Sequence, residues 1–238
     1  MIQLANTIKK CIFIKATALV FFCQFTIAQP VKKIADVKKI YLQIASKNKA
    51  DVKLVEQCWQ QVSDLYSDSS RHYHTLQHLA NFYNELLRCE KELNNWELAF
   101  LSMVYHDVVY VAVSRDNEEK SAEMAADHLQ KLGFSVGFID TSRQLIMATK
   151  SHKATGDLTT DLFIDADMSI LGVPLEQYKQ YAQQVNKEYA VVPDFATKRK
   201  GFLKHFLETE RLFITPLFYN LYEVTARNNL QKEIDDFK

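Results

Sequence analysis

A chain of 238 residues with 29 basic and 29 acidic side chains carries no net formal charge, which excludes the one-signed field of a nucleic-acid or acidic-membrane binder. Apolar residues at 47% are ample for a core, whereas five glycines and four prolines are too few for a turn-rich β architecture. The length fits one domain, or one domain with an appendage.

The N-terminus reads as that appendage. Lys9, Lys10 and Lys15 precede the uncharged run from Ala16 to Cys23, and Thr26 and Ala28 follow just before Gln29. Basic, then apolar, then small is the order of a secretory signal peptide, and the uncharged run is short for a membrane span. Residues 1–28 are therefore expected to be a signal peptide or membrane anchor. This favours a periplasmic or membrane-anchored location over a cytoplasmic one, with a buried amphipathic helix as the alternative reading of the segment. Cys58 and Cys89 would remain after cleavage, either paired by export or free in helices. Neither stands at the spacing of a zinc knuckle or redox motif.

From Ile34 onward apolar residues recur at helical intervals. Val37, Ile40, Tyr41 and Ile44 share one face; Val55, Trp59, Val62 and Leu65 share another. After a polar loop at 67–70, a helix is predicted from about Thr75 to Glu92. The next is capped by Asn95, runs to His106, and is apolar almost all round, as a central core helix must be. Further helices are predicted from Asp116 to a stop at Gly133, from Phe138 to Thr149, from Thr160 to Leu171, from Pro174 to Tyr189, from about Pro193 to Glu208, and from Thr215 to Phe237. The expected fold is all-α, a single helical domain over 34–238 with a metal site between core helices.

Four of the seven histidines crowd between His72 and His106. His74 and His78 are four apart, hence on one helical face, and His106-Asp107 ends the apolar helix. Asp165 and Asp167 stand among residues that must be buried, and a buried charge needs a partner or an ion. His78, His106, Asp107 and one of these two aspartates supply two nitrogens and two oxygens, a set suited to Mn, Fe, Co, Zn or Mg. Such an ion acidifies water and withdraws charge from a phosphoryl oxygen. His74, beside the site, is positioned to protonate a leaving oxygen. Arg71 and Lys150 are candidate phosphate clamps, and Glu119 a candidate for orienting the attacking water. His72, His128 and His205 are read as surface residues, and Phe213, Phe218, Tyr219 and Tyr222 as core packing.

In these residues the chain resembles the HD-domain superfamily of metal-dependent phosphohydrolases. More narrowly, Arg71-His-Tyr-His74, Tyr105-His-Asp-Val-Val-Tyr110, Asp116-Asn-Glu-Glu-Lys-Ser-Ala122, Ala148-Thr-Lys-Ser-His152, Asp165-Ala-Asp-Met-Ser-Ile-Leu-Gly172 and the tail from Phe213 to Leu230 resemble its predicted members of about two hundred residues. The resemblance spans about Val55 to Ile234. It implies His78, His106, Asp107 and Asp167 as metal ligands, with Asp165 behind them. Asn117 stands where two-metal members carry a histidine, which implies one ion per site. His152 is left to bind phosphate with Lys150 or to ligate a second ion. The implied activity is hydrolysis of a small phosphorylated substrate, nucleotides included. The alternative is an HD-like module that senses a nucleotide without turnover. No stable nucleic-acid complex is expected, and membrane contact only through the N-terminal segment.

Overall fold

The computed structural model describes residues 33–237, and the leader assigned to residues 1–28 lies outside that range. The described residues form α1 (Ile34–Ala45), α2 (Val52–Tyr66), α3 (Leu76–Arg88), α4 (Trp96–Tyr105), α5 (Asn117–Lys131), α6 (Val136–Ala148), α7 (Leu158–Met168), α8 (Leu175–Glu188), α9 (Phe195–Glu208) and α10 (Pro216–Asp236). Short 3-10 turns follow α3 at Glu90–Glu92 and α7 at Ser169–Gly172. There is no strand among the described residues, so the all-α expectation holds.

Half of these helices begin where a side chain can satisfy their free amides. Asp51, Thr75, Asn95, Ser135 and Asp157 each accept a backbone N–H in the first turn of α2, α3, α4, α6 and α7, worth about 1 kcal/mol apiece. Helix α5 ends as expected at Gly133, whose φ of 81° suits a residue without a Cβ. Gly133 N–H donates to the Gln130 carbonyl and Phe134 N–H to that of Leu129, the paired bonds of a Schellman stop. Helix α3 stops earlier than predicted, at Arg88 rather than Glu92. Beyond Leu87 the chain reads Arg88, Cys89, Glu90, Lys91, Glu92, which leaves little apolar surface to bury by continuing.

Helix α4 is the centre of the core. Every residue from Leu98 to Tyr105 is buried, and α1, α3, α5 and α6 pack around it. Helix α10 lies against α9, α8, α7 and the 3-10 turn before α8. That approach is close: a Cβ on Gly172 would overlap the Cβ of Tyr222. Phe213 and Phe218 are fully buried, as read from the sequence, while Tyr219 is partly exposed beneath the Arg211 guanidinium.

His128 is not the surface residue expected. It is only 3% exposed. Its Nδ1 lies 3.0 Å from Tyr105 Oη and its Nε2 2.8 Å from Gln61 Oε1, and Tyr105 Oη is 2.7 Å from Tyr41 Oη. Burial lowers its pKa, so a neutral imidazole completes this polar chain. His205 is exposed, as expected, and Cys58 and Cys89 are separate buried thiols. No helix among the described residues is long and apolar enough to cross a membrane.

Candidate metal centre

Three helices meet at one end of the bundle. Helix α3 brings His78, the C-terminus of α4 brings His106 and Asp107, and α7 brings Asp167. His78 Nε2 and His106 Nε2 are 3.0 Å apart. Asp167 Oδ1 lies 3.3 Å from the first and 3.5 Å from the second. Asp107 Oδ2 lies 3.1 Å from His106 Nε2 and 3.9 Å from His78 Nε2. His78, His106 and Asp167 thus form a buried group able to hold a metal ion.

The electrostatics demand positive charge at this point. Burial opposes protonation of His106, but the carboxylates of Asp107 and Asp167 outweigh it and hold its pKa well above the ordinary value. Burial also presses on both aspartates, and His106 more than compensates, keeping each below the usual carboxylate range. At His78 burial wins and the pKa falls. Without an ion, the proton on His106 is therefore the local cation. Its Nδ1 sits 2.8 Å from the Met103 carbonyl. A carbonyl only accepts, so Nδ1 keeps its hydrogen and Nε2 is the atom free to exchange a proton for a metal.

Asp165 and Asp167 have different tasks. Two residues is about 200° around a helix, so they face opposite ways from α7. Asp167 faces the histidines. Asp165 is fully buried and accepts from Ile214 N–H, Thr215 N–H and the Thr215 hydroxyl at 2.7–2.8 Å. It anchors the entry to α10 rather than backing the ligands, which corrects the expectation for that residue.

Beside this group stands a second pair that the sequence reading half missed. His74 Nδ1 is 2.7 Å from Glu188 Oε2, and the other carboxylate oxygen accepts N–H from His72, Tyr73 and His74 at 2.7–2.9 Å. Burial would raise the pKa of Glu188, but the hydrogen bond and charge of His74, with these amides, hold it below normal. Because the carboxylate accepts, Nδ1 of His74 carries a hydrogen. Nε2 is left 3.8 Å from Asp107 Oδ2. The Tyr110 ring stacks on the imidazole at 4.0 Å. His152 joins the site from the loop after α6, with Nε2 3.5 Å from Asp167 Oδ2. Its φ of 50° is uncommon for a residue with a side chain. Asp161 braces that loop by accepting from Thr155 N–H, its hydroxyl and Gly156 N–H.

Other expected residues are employed elsewhere. Arg71 is 7% exposed and does not line the cavity. Its guanidinium donates to the carbonyls of His74, Asp107 and Val108, stapling the His-Asp segment to the loop before α3. It is an internal brace, not a phosphate clamp. Lys150 and Glu119 are paired with each other at 2.7 Å, and Lys150 also donates to the Arg115 carbonyl. Neither lines the cavity, although the neighbouring Glu118 does. Lys150 and Glu119 are thus tied to each other away from the cavity where a phosphate clamp and a water-orienting carboxylate were expected. Asn117 bonds Val111 through both ends of its amide, 3.0 Å each way, and shapes the loop before α5.

His74, His78, Asp107 and Asp167 open into a cavity of about 450 Å³, within the range of small-molecule sites. Its far wall comes from α8, α9 and the segment between them, through Tyr181, Val185, Tyr189, Val192, Phe195 and Phe202. No protein-family model matches this chain, and no curated protein matches it.

Proposed function

We propose that the chain is a metal-dependent phosphohydrolase of the HD type. One observation carries the reading: His78, His106, Asp107 and Asp167 converge from three helices, with His78, Asp107 and Asp167 lining a cavity and His106 buried directly behind them. The donor set fits a divalent ion. Two imidazole nitrogens face each other at 3.0 Å with carboxylate oxygens of two residues beside them, an arrangement that can take a cation in place of the His106 proton. His78, His106 and Asp167 would hold it, with Asp107 as the fourth donor. Two nitrogens and two oxygens suit Mn, Fe, Co, Zn or Mg. When bound, the ion supplies Lewis acidity towards water and a phosphoryl oxygen.

The remaining work falls to the chain. Glu188 fixes the ring of His74 through Nδ1 and the loop amides, so Nε2 is the nitrogen turned towards Asp107 and the cavity. From there it delivers a proton to the leaving oxygen. His152, flexible in bonding and at the cavity edge, binds a phosphoryl oxygen. Arg71 and the Met103 carbonyl hold the His106-Asp107 segment in register.

His106→Ala and Asp107→Ala should each lower bound metal in purified protein and abolish turnover. The screen uses phosphorylated metabolites with Mn, Mg, Co and Fe added in turn. Full activity in either variant on a substrate that wild type hydrolyses refutes the assignment.

A further inference from the structure

The walls of the cavity are chemically unlike its floor. Away from the histidines and aspartates it is bounded by Ile170, Leu171, Val185, Val192, Phe195 and Phe202. Two of the hydroxyls among these walls are already committed as donors. Tyr110 Oη donates to Tyr189 Oη at 2.7 Å, and the Thr149 hydroxyl donates to the Ile146 carbonyl at 2.7 Å. Of the two lining cations among the described residues, one is paired with a carboxylate and the other stands alone. Arg199 pairs with Glu233 at 2.9 Å and Lys198 donates to the Pro193 carbonyl at 2.9 Å. Sugar hydroxyls entering here would leave water for few partners, and each unpaired polar group is costly. A chain of phosphates would likewise meet no free basic cluster.

Resting on the phosphohydrolase reading, we infer that the substrate carries one phosphate on an apolar alcohol, aryl or medium-chain alkyl. Its phosphate sits over the metal group, and its carbon body lies against α8 and α9. Burial of that body supplies the affinity, and Phe202, 51% exposed at the rim, covers the outer end.

The test is calorimetric titration of full-length protein, with Mn present, by methyl-, butyl-, hexyl- and octylphosphonate, phenylphosphonate, ribose 5-phosphate and a nucleoside monophosphate. Affinity should rise along the alkyl series by up to about four-fold per methylene, the ratio expected for burying one CH₂. Comparing phenyl- with hexylphosphonate separates aryl from alkyl. Phe202→Ser and Val192→Ser, both at incompletely buried positions, should weaken octylphosphonate by roughly three- to ten-fold and leave methylphosphonate unchanged. A flat alkyl series, or tighter binding of ribose 5-phosphate or the nucleotide than of octyl- and phenylphosphonate, overturns the inference. The two readings fail differently. Chain-length dependence with no hydrolysis of octyl or phenyl phosphate under any metal keeps the apolar site and removes the phosphohydrolase. Hydrolysis of ribose 5-phosphate as fast as octyl phosphate does the reverse.

Discussion

Glu188→Gln isolates the orienting carboxylate from the rest of the site. The amide oxygen can still accept from the N–H groups of His72, Tyr73 and His74, which the carboxylate meets at 2.7–2.9 Å. Exchanging a charged acceptor for a neutral one loses about 1 kcal/mol per bond. The three bonds share one oxygen, so the total should be at most about 3 kcal/mol. The larger effect is on His74. The new NH₂ faces Nδ1, now 2.7 Å from Oε2, and turns that nitrogen into an acceptor. The ring's hydrogen then moves to Nε2 in the neutral form, the wrong tautomer for cycling a proton. Loss of acid catalysis predicts kcat lower by about 10²- to 10⁴-fold, with metal content unchanged. The assay compares an alkyl phosphate with p-nitrophenyl phosphate, whose leaving group needs little protonation. The alkyl ester should suffer far more. Equal losses on both substrates, or wild-type kcat on the alkyl ester, refute the role given to the pair.

Gly172→Ala forces a methyl into Tyr222, and should cost about 1–3 kcal/mol by overpacking. An unchanged urea midpoint would mean that the 3-10 turn and α10 separate easily. His128 gives a pH signature. Burial holds its folded pKa below the ordinary 6.5, so the unfolded chain takes up a proton that the buried ring refuses. Stability contributed by the neutral ring is complete above about pH 6.5 and declines as pH falls towards the folded pKa, by at most about 1.4 kcal/mol per pH unit. Chemical unfolding at pH 7.5, 6.5 and 5.5 should show a shallower decline for His128→Gln than for wild type; parallel curves would contradict the assignment.

The ten helices of the described residues were legible because apolar residues recur at helical intervals and half of the helices open on a side-chain cap. The candidate metal group was legible because ligand-type residues border apolar runs at His78, His106-Asp107 and Asp167. What the reading lost was helical phase applied to polar residues. Tyr178, Tyr181, Val185 and Glu188 lie on one stripe of α8, so Glu188 occupies a buried position. It is also acidic in a last turn, where the macrodipole disfavours it. That conflict was a signal. Ser121, Ala125, His128 and Leu132 form the same kind of stripe through α5, which would have placed His128 inside. Arg71 had no comparable signal. Its partners are carbonyls of residues 107 and 108, more than thirty positions away, and no side-chain pattern announces them.

The loop before α3 is tied to distant chain from two sides: Arg71 grips carbonyls beyond α4, and Glu188 at the end of α8 grips three consecutive amides. The His74 pair and the candidate metal group therefore cannot be assembled by the first half of the domain alone. A protein truncated before α8 would keep His78, His106, Asp107 and Asp167, yet have no group to set the ring of His74. Under the proposed function, competence would arrive late in chain order, when Glu188, which orients His74, is finally made.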